Sequence, residues 1–307
     1  MQLHDIVKPA GLLREYVIAR TKSAGFLDLF SFGKILLVIG ECRRMLWTEN
    51  FLEVTTALRQ LGMTFISAVR IKVATSSNDF LHFKNKCSPD YICDFPNLKK
   101  RTTFDSKRNI KFFMELGYCG VSSFETCGCI SIPVTHDDVT YLTYTFSIFW
   151  VYLHRASRRI APLPQSFVTD SHKQLPRSVR VTHERDITSV RRSPDVITKS
   201  VVVTSDMIDS NIHTNYYEYT SLLANLLRNN GPSSGVSNRC LQLPFSQAEL
   251  RFFGESRLDD DLHLLALPTK TNERRDVTAV VAKNNDDVVM TLRVKPIDAE
   301  VLPQSKL

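Results

Sequence analysis

A short polar run, from Asp209 to Tyr219, offers the chemical groups that a hydrolytic site needs. Within seven positions it supplies a carboxylate, two carboxamides and an imidazole, at Asp209, Asn211, Asn215 and His213. A carboxylate can take a proton from water, while imidazole and carboxamide groups can position that water or polarise a carbonyl group. The spelling Asp-x-Asn-x-His-x-Asn therefore indicates water-based chemistry on a carbonyl compound.

The neighbouring residues place this run in a loop between a strand and a helix. Residues 197–204 are rich in β-branched side chains and predict a strand, whereas the apolar positions from Tyr219 to Leu227 recur at helical spacing. The start of a helix presents backbone N–H groups and the positive end of the helix dipole. The N–H groups near Asn215 and Tyr216 are therefore the predicted donors to an oxyanion.

This spelling resembles the signature loop of the hotdog-fold thioesterases, and most closely that of the acyl-acyl-carrier-protein thioesterases of plants. The resemblance places Asp209, Asn211 and His213 at the active-site positions of that family. A downstream strand of the family ends in Glu-Cys, and this chain has Glu255 followed by Ser256. The catalytic set implied by the resemblance is therefore Asp209, Asn211, His213 and Glu255, and either carboxylate can be the general base.

Two departures from the family pattern keep other functions open. The stretch Ser205-Asp206-Met207-Ile208-Asp209 is one residue longer than its family counterpart, and Tyr216 replaces the second Asn of an Asn-Asn pair. Thr214 or Asn215 would also cap a helix whatever the function of the loop. A non-catalytic acyl-binding hotdog protein is thus one alternative. A hotdog hydratase or dehydratase is disfavoured, because such enzymes have two residues between Asn and His where this chain has Ile212 alone.

The order of strands and helix occurs twice along the chain. Residues 196–295 predict one strand, one helix and four strands, with a hairpin at 283–287. Residues 15–152 repeat the order more loosely, with a helix at 32–47 and one long strand at 113–130. Together with the resemblance, this order predicts the α+β class: a double hotdog of two β-α-β4 domains whose antiparallel sheets wrap around central helices.

The predicted boundaries are 1–165 for an N-terminal hotdog domain, 166–194 for a linker, and 195–307 for a C-terminal hotdog domain that carries the candidate site. Two motifs, Gly117–Glu125 and His154–Pro164, resemble segments of acyl-CoA thioesterases in the 4-hydroxybenzoyl-CoA thioesterase-like superfamily. The loop before the first predicted helix, residues 22–31, contains one carboxylate, Asp28, and neither His nor Asn. The N-terminal domain is therefore predicted to be catalytically degenerate.

The composition restricts the class of protein. The 307 residues are 43% hydrophobic and 23% charged, which is a globular composition. No apolar run is long enough to span a bilayer, and the N-terminus shows no signal-peptide pattern. Seven cysteines without a Cys-x-x-Cys pair predict reduced thiols and no metal site. The net charge of +7 suits a phosphate-bearing partner such as coenzyme A, and no nucleic-acid-binding signature accompanies it.

The last three residues, Ser305, Lys306 and Leu307, match the C-terminal targeting signal that the peroxisomal import receptor recognises. The expected location is the peroxisome, with the cytoplasm as the alternative, and that receptor is an expected partner. The loop motif resembles that of acyl-ACP thioesterases and so points to acyl-ACP as the substrate. The peroxisomal targeting signal points to acyl-CoA instead, and acyl-CoA is the favoured prediction. No metal or organic cofactor is predicted, and a homodimer is compatible with the fold.

Overall fold

The computed structural model describes residues 19–21, 35–36, 39–40, 62–73, 108–133, 141–164, 188–209, 212–229, 245–271, 274–284 and 287–296. The chain divides into two compact units. Unit 1 comprises Met1–Phe26 and Val38–Arg180, and unit 2 comprises Leu27–Leu37 and Val181–Leu307. Unit 2 thus takes in a short stretch of the predicted N-terminal domain, of which the helical residues Ile35 and Leu36 are described and buried.

The described strands of unit 1 are β1 (Ala19–Thr21), β2 (Gly62–Val73), β3 (Arg108–Cys119), β4 (Ser123–Pro133) and β5 (Tyr141–His154). They pair antiparallel in the order β1-β3-β4-β5-β2. Apolar side chains of β4 and β5, among them Phe124 and Trp150, are buried and stack on each other. The indole N–H of Trp150 donates to Thr126 Oγ1 (3.0 Å), so this buried polar group is satisfied.

The prediction of one strand over 113–130 is wrong, because the chain turns back at residues 120–122. The Gly120 N–H donates to the Ser123 carbonyl (2.7 Å) and closes the turn. A Cβ at Gly120 would lie 2.5 Å from Tyr118 Oη, so a larger residue there would displace the end of the Tyr118 side chain. Strand-forming residues continue on both sides of the turn, which is why sequence periodicity did not reveal it.

The two motifs that resemble acyl-CoA thioesterases in unit 1 lie against each other. The Leu163 N–H donates to the Val121 carbonyl (2.7 Å), and the Tyr152 N–H donates to the Ser122 carbonyl (2.8 Å). The Leu163 side chain is buried. The segment after β5 therefore packs over the β3–β4 turn and closes this end of the sheet.

The described strands of unit 2 are β6 (Ile197–Val202), β7 (Phe245–Phe252), β8 (Asp261–Thr271), β9 (Arg274–Lys283) and β10 (Asp287–Pro296). Its helices are α1 (Thr188–Arg191), a 3-10 turn (Ser205–Met207) and α2 (Tyr216–Asn229). The strands pair antiparallel in the order β7-β10-β9-β8-β6. The predicted order of one strand, one helix and four strands is confirmed in this unit.

Helix α2 packs on β6 and β8 through one apolar face. Four of its side chains at helical spacing are buried: Tyr219, Leu223, Leu226 and Leu227. Each buried side chain of this size stabilises the fold by about 1.5–3 kcal/mol relative to the exposed state. Among the described helices, none is long and apolar enough to cross a membrane.

The short helix α1 lies within the segment predicted to be a linker. Its Val190 is buried in an apolar cluster with side chains from three strands, Leu265, Val280, Ala282 and Val288. One apolar residue in a polar, basic stretch shows no periodicity, and the sequence therefore did not indicate this helix. Residues 166–187 of the predicted linker lie outside the described residues.

Candidate active site

The candidate loop connects β6 to α2, as the sequence predicts. The Asp209 N–H donates to the His213 carbonyl (2.9 Å), and the Ile212 N–H donates back to the Asp209 carbonyl (3.1 Å). Ile208 and Thr214 form an antiparallel bridge at the base of this turn. These bonds close a tight turn that brings the Asp209 and His213 side chains together.

His213 is held through its Nδ1 atom. This atom lies 3.4 Å from Asp209 Oδ2 and 3.3 Å from the Thr214 carbonyl oxygen. A carboxylate and a carbonyl are both acceptors, so the geometry assigns the ring proton to Nδ1 and makes Nε2 the acceptor of the neutral ring. The His213 and Asp209 side chains are 14% and 22% exposed, so the pair is largely shielded but reachable from solvent.

Asn215 caps helix α2, one of the two capping residues that the sequence allows. Its Oδ1 accepts a hydrogen bond from the Tyr217 N–H (3.3 Å), and its own N–H donates to the Met207 carbonyl (2.9 Å). The backbone N–H groups that already donate at this helix start are those of Thr214, Asn215, Tyr217 and Glu218. In this conformation the Asn215 N–H predicted to stabilise an oxyanion is therefore occupied.

Glu255 lies beyond the end of β7, on the segment that leads to Ser256. Strand β7 ends at Phe252, and the Phe253 N–H makes a last bond to β10. The chain then pairs with the candidate loop, since the Thr214 N–H donates to the Ser256 carbonyl (2.8 Å). This pairing places half-buried Glu255 on a segment beside the loop.

Lys283 is a neighbour of this segment that the sequence did not indicate, because it falls in the predicted hairpin turn at 283–287. Its Nζ donates to the Glu255 carbonyl (2.9 Å) and lies 4.0 Å from Asp260 Oδ2. The ammonium group thus fixes the main chain of Glu255 from the β9 side.

Three hydroxyl groups join the loop, helix α2 and the segment that bears Glu255. Ser256 Oγ lies 2.6 Å from Thr214 Oγ1 and 2.8 Å from Tyr219 Oη. Thr214 Oγ1 donates to the Ser256 carbonyl (3.2 Å), and the Ser256 N–H donates to Tyr219 Oη (3.2 Å). The three side chains are buried. The sequence shows Ser256 in place of a cysteine and Thr214 as a possible cap, but their contact could not be predicted because they lie 42 positions apart.

The electrostatics of this cluster keep the Tyr219 phenol protonated. Burial raises the pKa of the Tyr219 phenol, while hydrogen bonds with Ser256 and Thr214 lower it in part. The charge of Glu255 raises it further. Tyr219 therefore stays protonated at neutral pH and acts as a donor.

Tyr216, which replaces an Asn of the family pattern, faces the buried interior of unit 2. Its Oη donates to the Leu36 carbonyl (3.3 Å), and its ring packs edge-on against Phe252 at 6.5 Å between centroids. Tyr216 therefore anchors the first turn of α2.

The structure thus brings the side chains of Asp209 and His213 into contact, with Asn215 and Tyr216 at the adjoining helix start. It pairs the segment that bears Glu255 with this loop. Asn211 lies outside the described residues, as do Ser305, Lys306 and Leu307. Their roles stay predictions, as does the degenerate loop at 22–31. Within the described parts of the chain, no group of three or more His, Cys, Asp or Glu side chains is arranged to hold a metal ion.

No protein-family model matches the chain, and no curated protein matches its sequence. Solved structures match over nearly its whole length. An acyl-ACP thioesterase from Bacteroides thetaiotaomicron has a TM-score of 0.60 at 13% identity and covers 96% of this chain and 99% of its own. The fold is a double hotdog.

Two further solved structures share the double hotdog. A putative oleoyl thioesterase from Lactobacillus plantarum has a TM-score of 0.59 at 13% identity and covers 94% of this chain and 98% of its own. A 12:0-ACP thioesterase from Umbellularia californica has a TM-score of 0.58 at 11% identity and covers 92% and 95%. The coverage includes both units of this chain, so the likeness extends to the two-domain organisation of the double hotdog.

Proposed function

We propose that this protein hydrolyses acyl thioesters to a carboxylic acid and a thiol. The observation that supports this function is the contact of His213 Nδ1 with Asp209 Oδ2 on a loop that is paired, through Thr214 and Ser256, with the segment bearing Glu255. Two of the three matching structures are acyl-ACP thioesterases, and the third is a putative oleoyl thioesterase. The same chemistry is therefore the first to test on this double hotdog.

In the proposed reaction a water oxygen attacks the thioester carbonyl carbon while the Glu255 carboxylate takes a proton from that water. The tetrahedral oxyanion then collapses, the carbon–sulfur bond breaks, and the leaving thiolate takes the proton back from Glu255. Asp209 Oδ2 contacts His213 Nδ1, and the role of base is assigned to Glu255. His213 Nε2 accepts the second hydrogen of the water and so orients its oxygen.

The proposed carrier of the acyl group is coenzyme A, in line with the expected peroxisomal targeting signal at residues 305–307. The resemblance of the loop to that of acyl-ACP thioesterases supports acyl carrier protein as the carrier instead. A direct comparison decides between them: kcat/KM for one acyl chain, presented on coenzyme A and on acyl carrier protein. A higher value on the carrier protein would overturn the choice of coenzyme A without affecting the proposed reaction.

A non-catalytic acyl-binding protein is the second candidate, and one observation favours it. The N–H groups of Thr214, Asn215, Tyr217 and Glu218 all have acceptors within the protein, so the start of α2 does not present these four donors to a substrate. A binding protein would hold acyl thioesters and release no thiol.

The decisive experiment measures thiol release by the purified protein from a panel of acyl-CoA and acyl-ACP substrates, alongside Glu255→Gln and His213→Ala. We expect activity in the wild type and losses of about 100-fold or more in both variants, the scale typical of removing a general base or a group that positions water. Substrate binding without thiol release would establish the acyl-binding alternative.

A further inference from the structure

We propose that Ser256, Thr214 and Tyr219 form a positioning network that holds Glu255 in register with His213. The inference rests on the proposed function and deepens it, because it assigns a role to three residues that do not touch the substrate. Ser256 follows Glu255 in the chain and Thr214 follows His213, so each reacting side chain is one residue away from the network.

One assignment of the hydroxyl hydrogens satisfies all the contacts of the network. Each hydroxyl group has one hydrogen. When Thr214 Oγ1 donates to the Ser256 carbonyl, Ser256 Oγ donates to Thr214 Oγ1 and Tyr219 Oη donates to Ser256 Oγ. Tyr219 Oη in turn accepts from the Ser256 N–H. The donors therefore run in one direction, from α2 through Ser256 to the loop, and every hydroxyl hydrogen is used.

Ser256 is not placed to act as a nucleophile. Its side chain is fully buried at 0% exposure, and its Oγ is bound on both sides by the hydroxyl groups of Thr214 and Tyr219. An attack on a thioester carbonyl needs an exposed oxygen with a base beside it. The serine hydroxyl instead serves as a two-sided connector, accepting from the helix and donating to the loop.

The backbone of Ser256 is held as firmly as its side chain. Its carbonyl accepts from both the N–H and the hydroxyl group of Thr214, and its N–H donates to Tyr219. Five contacts thus converge on one buried residue. Because polar groups bound in a buried network reinforce each other, the peptide between Glu255 and Ser256 has a defined orientation relative to the loop.

A double-mutant cycle tests this role. Ser256→Ala and Thr214→Val each remove one connecting hydroxyl, and we expect kcat to fall by about 100-fold, as for a misplaced reacting group, with KM nearly unchanged. Thr214→Ser keeps the hydroxyl group and is the matched control, with near wild-type kcat. In a Glu255→Gln background, Ser256→Ala should cause little further loss, because the network acts through Glu255.

The possible outcomes distinguish a failure of the positioning role from a failure of the proposed reaction. Wild-type hydrolysis with multiplicative losses for Ser256→Ala and Glu255→Gln would overturn the positioning role and leave the proposed function intact. A wild-type protein that releases no thiol from any carrier overturns both. If Ser256→Ala does not fold, Thr214→Val takes its place in the double-mutant cycle. Thr214→Val keeps the backbone hydrogen bond to Ser256 and the volume of the side chain.

Discussion

The carbonyl oxygen of Ser256 accepts two hydrogen bonds from Thr214, one from the backbone N–H at 2.8 Å and one from Oγ1 at 3.2 Å. These residues lie 42 positions apart in the chain, on the segment after β7 and on the loop before α2. Their contact makes a single site from two segments that carry Glu255 on one side and Asp209 with His213 on the other.

Asp209→Asn should lower kcat for thioester hydrolysis by about 100-fold or more, because the amide no longer supplies a charge to hold the Nδ1–H tautomer of His213. The fold should be retained, since Asp209 lies on a loop. The measurement is steady-state kinetics together with thermal unfolding. Asp206→Asn, on the same loop and exposed, is the matched control. Near-normal turnover in Asp209→Asn would show that the Asp209–His213 contact is structural only.

Ile212→Gly should stabilise the protein by about 1 kcal/mol. Ile212 has a φ of 64° and its side chain is 71% exposed, so a β-branched residue occupies left-handed backbone with little packing to lose. Urea unfolding measures the change. Val202→Gly, at another exposed β-branched residue but in strand β6, is the control and should destabilise. A loss of stability in Ile212→Gly would mean that the loop tip is not strained.

Asn215→Ala should destabilise the fold by about 1 kcal/mol, because the Tyr217 N–H loses its acceptor at the start of α2. Asn215→Asp keeps an acceptor oxygen and should retain most of the stability. The free energy of unfolding of the three proteins gives the comparison. Equal stability of Asn215→Ala and wild type would rule out the capping role.

Tyr219 should make the protein lose stability in alkali. Burial raises its pKa above the value of 10.0 for a free phenol. The folded state therefore keeps a proton that the unfolded state releases, so stability is complete below about pH 10 and falls as the pH rises further. Unfolding free energies measured from about pH 8 to pH 11 should fall less steeply for Tyr219→Phe than for wild type. Tyr217→Phe on the same helix should keep the wild-type slope.

The local sequence pattern was sufficient to predict most of the secondary structure of unit 2. The polar run from Asp209 to Asn215 falls in a strand-to-helix loop, and β8, β9 and β10 lie where alternation and turn residues predict them. Helical spacing of apolar residues likewise predicts α2. These features depend on contacts between residues near in sequence, which is why spacing alone indicates them.

Other features depend on tertiary contacts that the spacing of residues along the chain does not predict. The turn between β3 and β4, the burial of Val190 and the pairing of Ser256 with Thr214 are each decided by what packs against them. The amino-acid sequence by itself determined which groups this protein has for chemistry, the carboxylates of Asp209 and Glu255 and the imidazole of His213. Only the tertiary structure decided that Thr214, Tyr219 and Ser256 connect them, because a buried hydroxyl group takes its partner from whatever residue folding brings within hydrogen-bonding distance.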